Sequence, residues 1–126
     1  MRNLKLLCVG LLSICCLFFV IGCSGKGPSL SIDKSVVKPG EEIAVSFTAL
    51  AEWNDNAWIG IVPSEVPHGS EATNDQYDLA YQYIKKRTSG TMKFKAPTTP
   101  GKYDFRMHDT DNNGKEITHI TFEVKP

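Results

Sequence analysis

YDFRMHDTDNNGKEITHITFEV, residues 103–124, holds two alternating apolar and polar runs joined by a turn rich in Asp, Asn and Gly. Tyr103, Phe105 and Met107 alternate with Asp104, Arg106 and His108; on the return, Ile120, Phe122 and Val124 alternate with His119, Thr121 and Glu123. Period-two alternation marks half-buried strands, so the stretch predicts an antiparallel hairpin. Paired strands must present their apolar sets to one side, so odd positions on the first face even positions on the second. A two-residue loop at Asn113-Gly114 suits the primed turns that need positive φ. It places Ile120 opposite Met107, Phe122 opposite Phe105, Val124 opposite Tyr103, and His119 opposite His108. A four-residue loop, 111–114, places His119 opposite Arg106 instead and sets the two histidines diagonally. In both registers Arg106, His108 and His119 share a solvent-facing side of the sheet.

Upstream, short runs rich in Val, Ile, Phe, Tyr and Thr are separated by Pro-Gly punctuation. Leu30 to Ile32 begins the first strand, and Val36-Val37-Lys38-Pro39-Gly40 turns it into a second, Glu42 to Thr48. Trp58 to Val62 is apolar enough for a central strand. Leu79 to Ile84 is shorter and fits an edge, and Thr91 to Ala96 alternates with lysines outward. No segment keeps a helical period. Short strands at this spacing predict an all-β, two-sheet antiparallel sandwich over residues 29–126.

KPGEEIAVSF, then WIGIV, then SGTMKFKAPTTPGKYDFRM resembles the immunoglobulin-like or fibronectin-type modules of secreted and lipid-anchored bacterial proteins. The resemblance covers nearly all of residues 29–126 and implies their sandwich. It sets Tyr103 at the tyrosine-corner position and Trp58 at the aromatic of the central strand. The cysteine pair of antibody domains is missing. Such modules serve many unrelated roles, and the resemblance brings no catalytic residues with it.

The start of the chain supplies an address. Arg2 and Lys5 precede an apolar run from Leu6 to Ile21, a secretory layout, and Val20-Ile21-Gly22-Cys23 resembles the lipobox of bacterial lipoproteins. That implies a signal peptide over 1–22, an acyl chain such as palmitate on Cys23, and a flexible linker over 23–28. The alternative is an uncleaved anchor; either one holds the domain outside the cytoplasm. Ser24 after the lipidated Cys permits export to the outer membrane in a Gram-negative cell. Cys8, Cys15 and Cys16 lie in the leader, so the mature domain has no disulfide and no cysteine metal site. Without residues 1–22 the chain carries 12 basic and 14 acidic residues. The one basic cluster, Lys85-Lys86-Arg87, is too small for a nucleic-acid footprint.

Three features could carry binding. Directly opposed residues have Cβ atoms about 5 Å apart, so with the two-residue loop His108 and His119 could share zinc or copper if a third ligand approached from a neighbouring strand or loop. Asp109, Asp111 and Asn113, before Gly114, reproduce the first half of a calcium loop. Its bidentate acid is missing: Ile120 stands there, and Glu116 could replace it only in another geometry. The connection from Pro63 to Asp78 is long for a compact domain, a length that is often functional, and carries His68, Glu71 and Asp75. It could reach the histidine face only by folding back over the sheet. With Arg106, Tyr81 and Tyr83 these residues form the expected binding face. No G-x-S-x-G, H-E-x-x-H or phosphate-cradling glycine loop occurs. Ser64 and Ser70 are near His68 in sequence, which does not make a triad, and no enzymatic activity is expected. The expectation is a lipid-anchored envelope module binding another envelope protein or a glycan. A metal-binding protein and a subunit of an envelope complex are the alternatives.

Overall fold

The computed structural model describes residues 27–126; the expected signal peptide over 1–22 and the expected lipidation at Cys23 lie outside them. Among the described residues, eight strands make two sheets. β1 (Ser29–Ile32), β3 (Glu42–Thr48) and β6 (Ser89–Lys95) form one, in the order β1-β3-β6. The other contains β2 (Val36–Val37), β4 (Trp58–Pro63), β5 (Ala80–Tyr83), β7 (Gly101–His108) and β8 (Glu116–Val124), in the order β2-β8-β7-β4-β5. The expected all-β sandwich is the fold, with the strand order of immunoglobulin-type sandwiches. It is not wholly antiparallel. Val36 and Val37 do not merely turn the chain; they cross to the second sheet and pair parallel to Glu123 and Val124. β5 is the edge strand that its brevity suggested.

The core lies between the sheets. Ile43, Val45 and Phe47 of β3, with Met92 and Phe94 of β6, meet Ile59, Ile61, Phe105, Met107, Phe122 and Val124. Rings dominate its middle: Phe94 and Phe105 have centroids 5.2 Å apart, and Phe105 and Phe122 stack at 4.8 Å. At the corner before β7 the Tyr103 hydroxyl donates to the Thr99 carbonyl at 2.7 Å, the tyrosine-corner bond that the resemblance implies. Trp58 departs from the resemblance. In β4 it is Ile59 and Ile61 that point into the core, so Trp58 stands on the outer face of the second sheet, and is buried there.

The hairpin takes the register of the longer loop and then breaks it. Phe105 pairs with Ile120, Tyr103 with Phe122 and Arg106 with His119, so the pairing that set Met107 against Ile120 and His108 against His119 is corrected. Between Met107 and His108 the register shifts: Met107 faces Thr118, His108 faces Glu116, and Ile117 is extra. The connection runs from Asp109 to Lys115. Only Asn113 of the Asn-Gly pair has positive φ, 56°, so no primed two-residue turn forms. Gly114 is required for close approach instead, because a Cβ there would run into the Asp109 carboxylate.

One element was not expected. Residues Glu71–Tyr77 form a short helix, α1, capped by Ser70, whose hydroxyl accepts from the Thr73 N–H at 3.2 Å. Ser followed by Glu is a helix-start signal, but seven residues are too few to show a period.

Candidate functional site

The long connection does fold back. Residues 63–78, α1 included, lie over the outer face of the second sheet and cover Trp58, Val62, Asp104, Arg106 and His108, all buried. The expectation of a solvent-facing Arg106 and His108 is therefore corrected. Period-two alternation reports that two faces differ; it does not report that the polar one is wet.

Arg106 is the centre of this cap. Its Nε and Nη2 donate to Asp104 Oδ2 at 3.0 and 2.8 Å, and Nη2 also reaches the Val66 carbonyl at 2.9 Å. Nη1 donates to Asn74 Oδ1 at 2.8 Å and to the Pro67 carbonyl at 3.3 Å. The guanidinium's fork of donors thus holds the loop down by its carbonyls. Asp104 is completed at Oδ1 by the hydroxyls of Ser64 and Thr121, both at 2.8 Å. Burial would raise its pKa, but the bonds from Ser64, Thr121 and Arg106 outweigh that and hold it below the usual carboxylate range. Ser64 and Ser70 spend their hydroxyls on Asp104 and on the helix cap.

His108 stacks on Trp58 with ring centroids 3.8 Å apart. Its Nδ1–H donates to the Trp58 carbonyl at 3.3 Å, and Nε2 accepts from Asn74 Nδ2 at 2.9 Å. Burial lowers its pKa to about 4, against the smaller pull of the Trp58 carbonyl. Both ring nitrogens are engaged, so His108 is a structural residue of the cap and does not pair with His119 as a ligand. Glu71, expected on the binding face, is also buried; it accepts from the Trp58 indole N–H at 2.9 Å.

The bulge decides what stands at the rim. By shifting the register at His108 it turns Glu116 onto the outer face, as bulges re-aim side chains. Glu116 Oε1 accepts from Asn74 Nδ2 at 2.9 Å and from the Gly69 N–H at 3.3 Å. Oε2 lies 2.7 Å from His68 Nδ1 and 3.4 Å from His119 Nδ1. The two imidazoles are tilted against each other with centroids 4.4 Å apart, and their side chains are 44% and 45% exposed. The structure thus replaces the His108–His119 pair by His68, Glu116 and His119, whose ligand atoms all lie within 4.8 Å of one another. The sequence places His68 on the expected binding face but not among the metal ligands, and offers Glu116 only as a poor calcium ligand. Neither the bulge nor the folded-back loop has a sequence period.

The calcium half-motif is dispersed. Asp109 Oδ1 accepts from the Lys115 N–H at 2.9 Å, whereas Asp111 Oδ2 accepts from the Tyr83 hydroxyl at 2.9 Å. Asp111 instead joins Glu71 and Asp75 in a second acidic group. The bond to Asp111 pushes the Tyr83 hydroxyl up to about 12. Tyr81 stays exposed at the edge strand, with its ring edge-on to Trp58 and Tyr83.

No protein-family profile matches the chain, and no curated protein matches it.

Proposed function

We propose that this chain is a lipid-anchored, extracytoplasmic binding module without catalytic activity, which presents the capped face of its five-stranded sheet to another envelope protein or a glycan. One observation carries the reading. Residues 63–78 are fixed on that face by carbonyl and carboxamide bonds to the buried Arg106, and His68 and His119 are left at the rim. A long loop is costly to order, and this one is ordered by buried ionic and polar groups, which makes a defined surface from a segment that would otherwise be mobile. Membrane attachment follows from the lipobox-like ending at Cys23.

Two measurements test it. Labelled palmitate should enter the wild-type chain and not Cys23→Ser, and the variant should leave the membrane fraction. A photocrosslinking residue placed at Tyr81, exposed at the edge of that face, should give discrete adducts in whole cells, while one at Lys93, on the opposite sheet, should not. Equal crosslinking from both faces, or none from Tyr81, sinks the proposal.

A further inference from the structure

We propose that His68, Glu116 and His119 bind one transition-metal ion, zinc(II) or copper(II), at the rim of the cap. This deepens the proposed function by naming a ligand for the capped face, and it rests on that reading for the ion's being displayed to a partner.

The donor set suits these ions. Two imidazoles and one carboxylate are the ligands of open, three-residue sites for borderline metals. Calcium prefers an all-oxygen shell. The carboxylate is aimed beforehand. Glu116 Oε1 is occupied by Asn74 and the Gly69 N–H, so Oε2 is the oxygen left to face both rings. Metal–ligand bonds of about 2.0–2.1 Å at tetrahedral angles set ligand atoms roughly 3.3 Å apart. His119 Nδ1 already stands 3.4 Å from Oε2. His68 Nδ1 stands at 2.7 Å, the separation of two atoms sharing a proton. An ion that replaces this proton has to widen the pair by about half an ångström, and His68 is on a partly exposed loop.

The far side of His68 is also prepared. Its Nε2 lies 3.7 Å from Asp104 Oδ2. Metal-bound imidazoles commonly donate their second N–H to a carboxylate, which fixes the tautomer. Arg106 Nη2 lies nearer Nε2, at 3.3 Å, but its shorter bonds go to Asp104 and Val66. Nε2 can carry the proton toward Asp104 once Nδ1 takes a metal, if the ring turns from Nη2 and closes the 3.7 Å gap as the pair with Glu116 widens. The exposed sides of the rings leave a fourth position open to water or to a partner's donor.

The test is calorimetric titration of the full chain in detergent micelles with zinc chloride, copper sulfate and calcium chloride. Zinc or copper should bind one ion per chain, and calcium should not compete. His68→Ala, Glu116→Gln and His119→Ala should each weaken binding by at least roughly tenfold. His119 is exposed, so metal-free His119→Ala should melt with the wild type; a loss of binding is then a loss of ligand and not of fold. With copper, electron paramagnetic resonance should show two coupled nitrogens in the wild type and one in His119→Ala. Absence of one-to-one binding by both metals at millimolar ion overturns the site, as does unchanged affinity in a folded His119→Ala. Crosslinks from Tyr81 that persist without metal binding would overturn the metal site alone; metal binding without those crosslinks would overturn the partner alone.

Discussion

Arg106 and His119 are register partners across β7 and β8, yet Arg106 is fully buried and the His119 side chain is 45% exposed. The edge of the cap passes between them. Inside that edge the polar groups behave as a core. Arg106→Ala should therefore cost about 3–5 kcal/mol, because it strands the buried Asp104 carboxylate and frees the loop carbonyls. Arg106→Lys should recover little of it, since an ammonium cannot reproduce the fork. Urea unfolding measures both. A loss below about 1 kcal/mol, the usual scale of an exposed ion pair, would show that the cap is not anchored there.

Trp58 and Gly60 set the floor beneath the cap. A Cβ at Gly60 would lie 2.5 Å from Trp58 Cζ3 and 2.9 Å from the Ala80 carbonyl oxygen. Gly60→Ala should push the indole from its stack on His108 and cost about 1–3 kcal/mol, the range for overpacking. Loosening of the indole should also move the tryptophan emission to the red. An unshifted spectrum with wild-type stability would mean that the ring has room to move.

The fold was legible because the inward residues obey period two: Phe105, Met107, Phe122 and Val124 are all core, and Tyr103 makes its corner bond. The site was only partly legible. His119 and His68 could be named as candidates, but their meeting depends on a one-residue bulge and on a sixteen-residue segment returning over the sheet. Trp58 and His108 were misplaced for a related reason. The part of their sheet under the 63–78 segment is buried on both faces, and that covering is largely polar, so it left no apolar signal to read.

At Lys85 and Lys86 the chain holds φ of 54° and 62°, in a turn closed by the Arg87 N–H to the Ile84 carbonyl at 3.3 Å. Two consecutive left-handed positions suit Asn-Gly and strain lysine. Replacing the pair, Lys85→Asn with Lys86→Gly, should raise stability by about 1–2 kcal/mol and leave crosslinking from Tyr81 unchanged. A double variant no more stable than the wild type in thermal melts would count against strain in this turn.

Acid should open the cap in a particular interval. Burial keeps His108 neutral and lowers its pKa from 6.5 to about 4, so between these values the unfolded chain binds a proton that the folded chain refuses. Its contribution is then complete above pH 6.5 and is lost as pH falls toward 4, by about 3 kcal/mol in all. Asp104 and Glu116 act in the same direction lower down. Both are held below the usual range despite burial, by bonds from Ser64, Thr121 and Arg106 in the first case and from Asn74 and His68 in the second. Their stabilisation is lost as pH falls through their folded values. Glu71 opposes them: burial raises its pKa, only partly offset by the Trp58 indole, so its contribution is present below about 4.5 and is lost as pH rises through its folded value. His108→Gln should flatten urea-unfolding stability between pH 6.5 and 4 while leaving the fall at lower pH. Glu71→Gln should flatten the opposing decline above about 4.5 and leave the His108 slope in place. If the His108→Gln profile overlays the wild type across that interval, the proton is taken up elsewhere and the imidazole is not what makes the cap sensitive to acid.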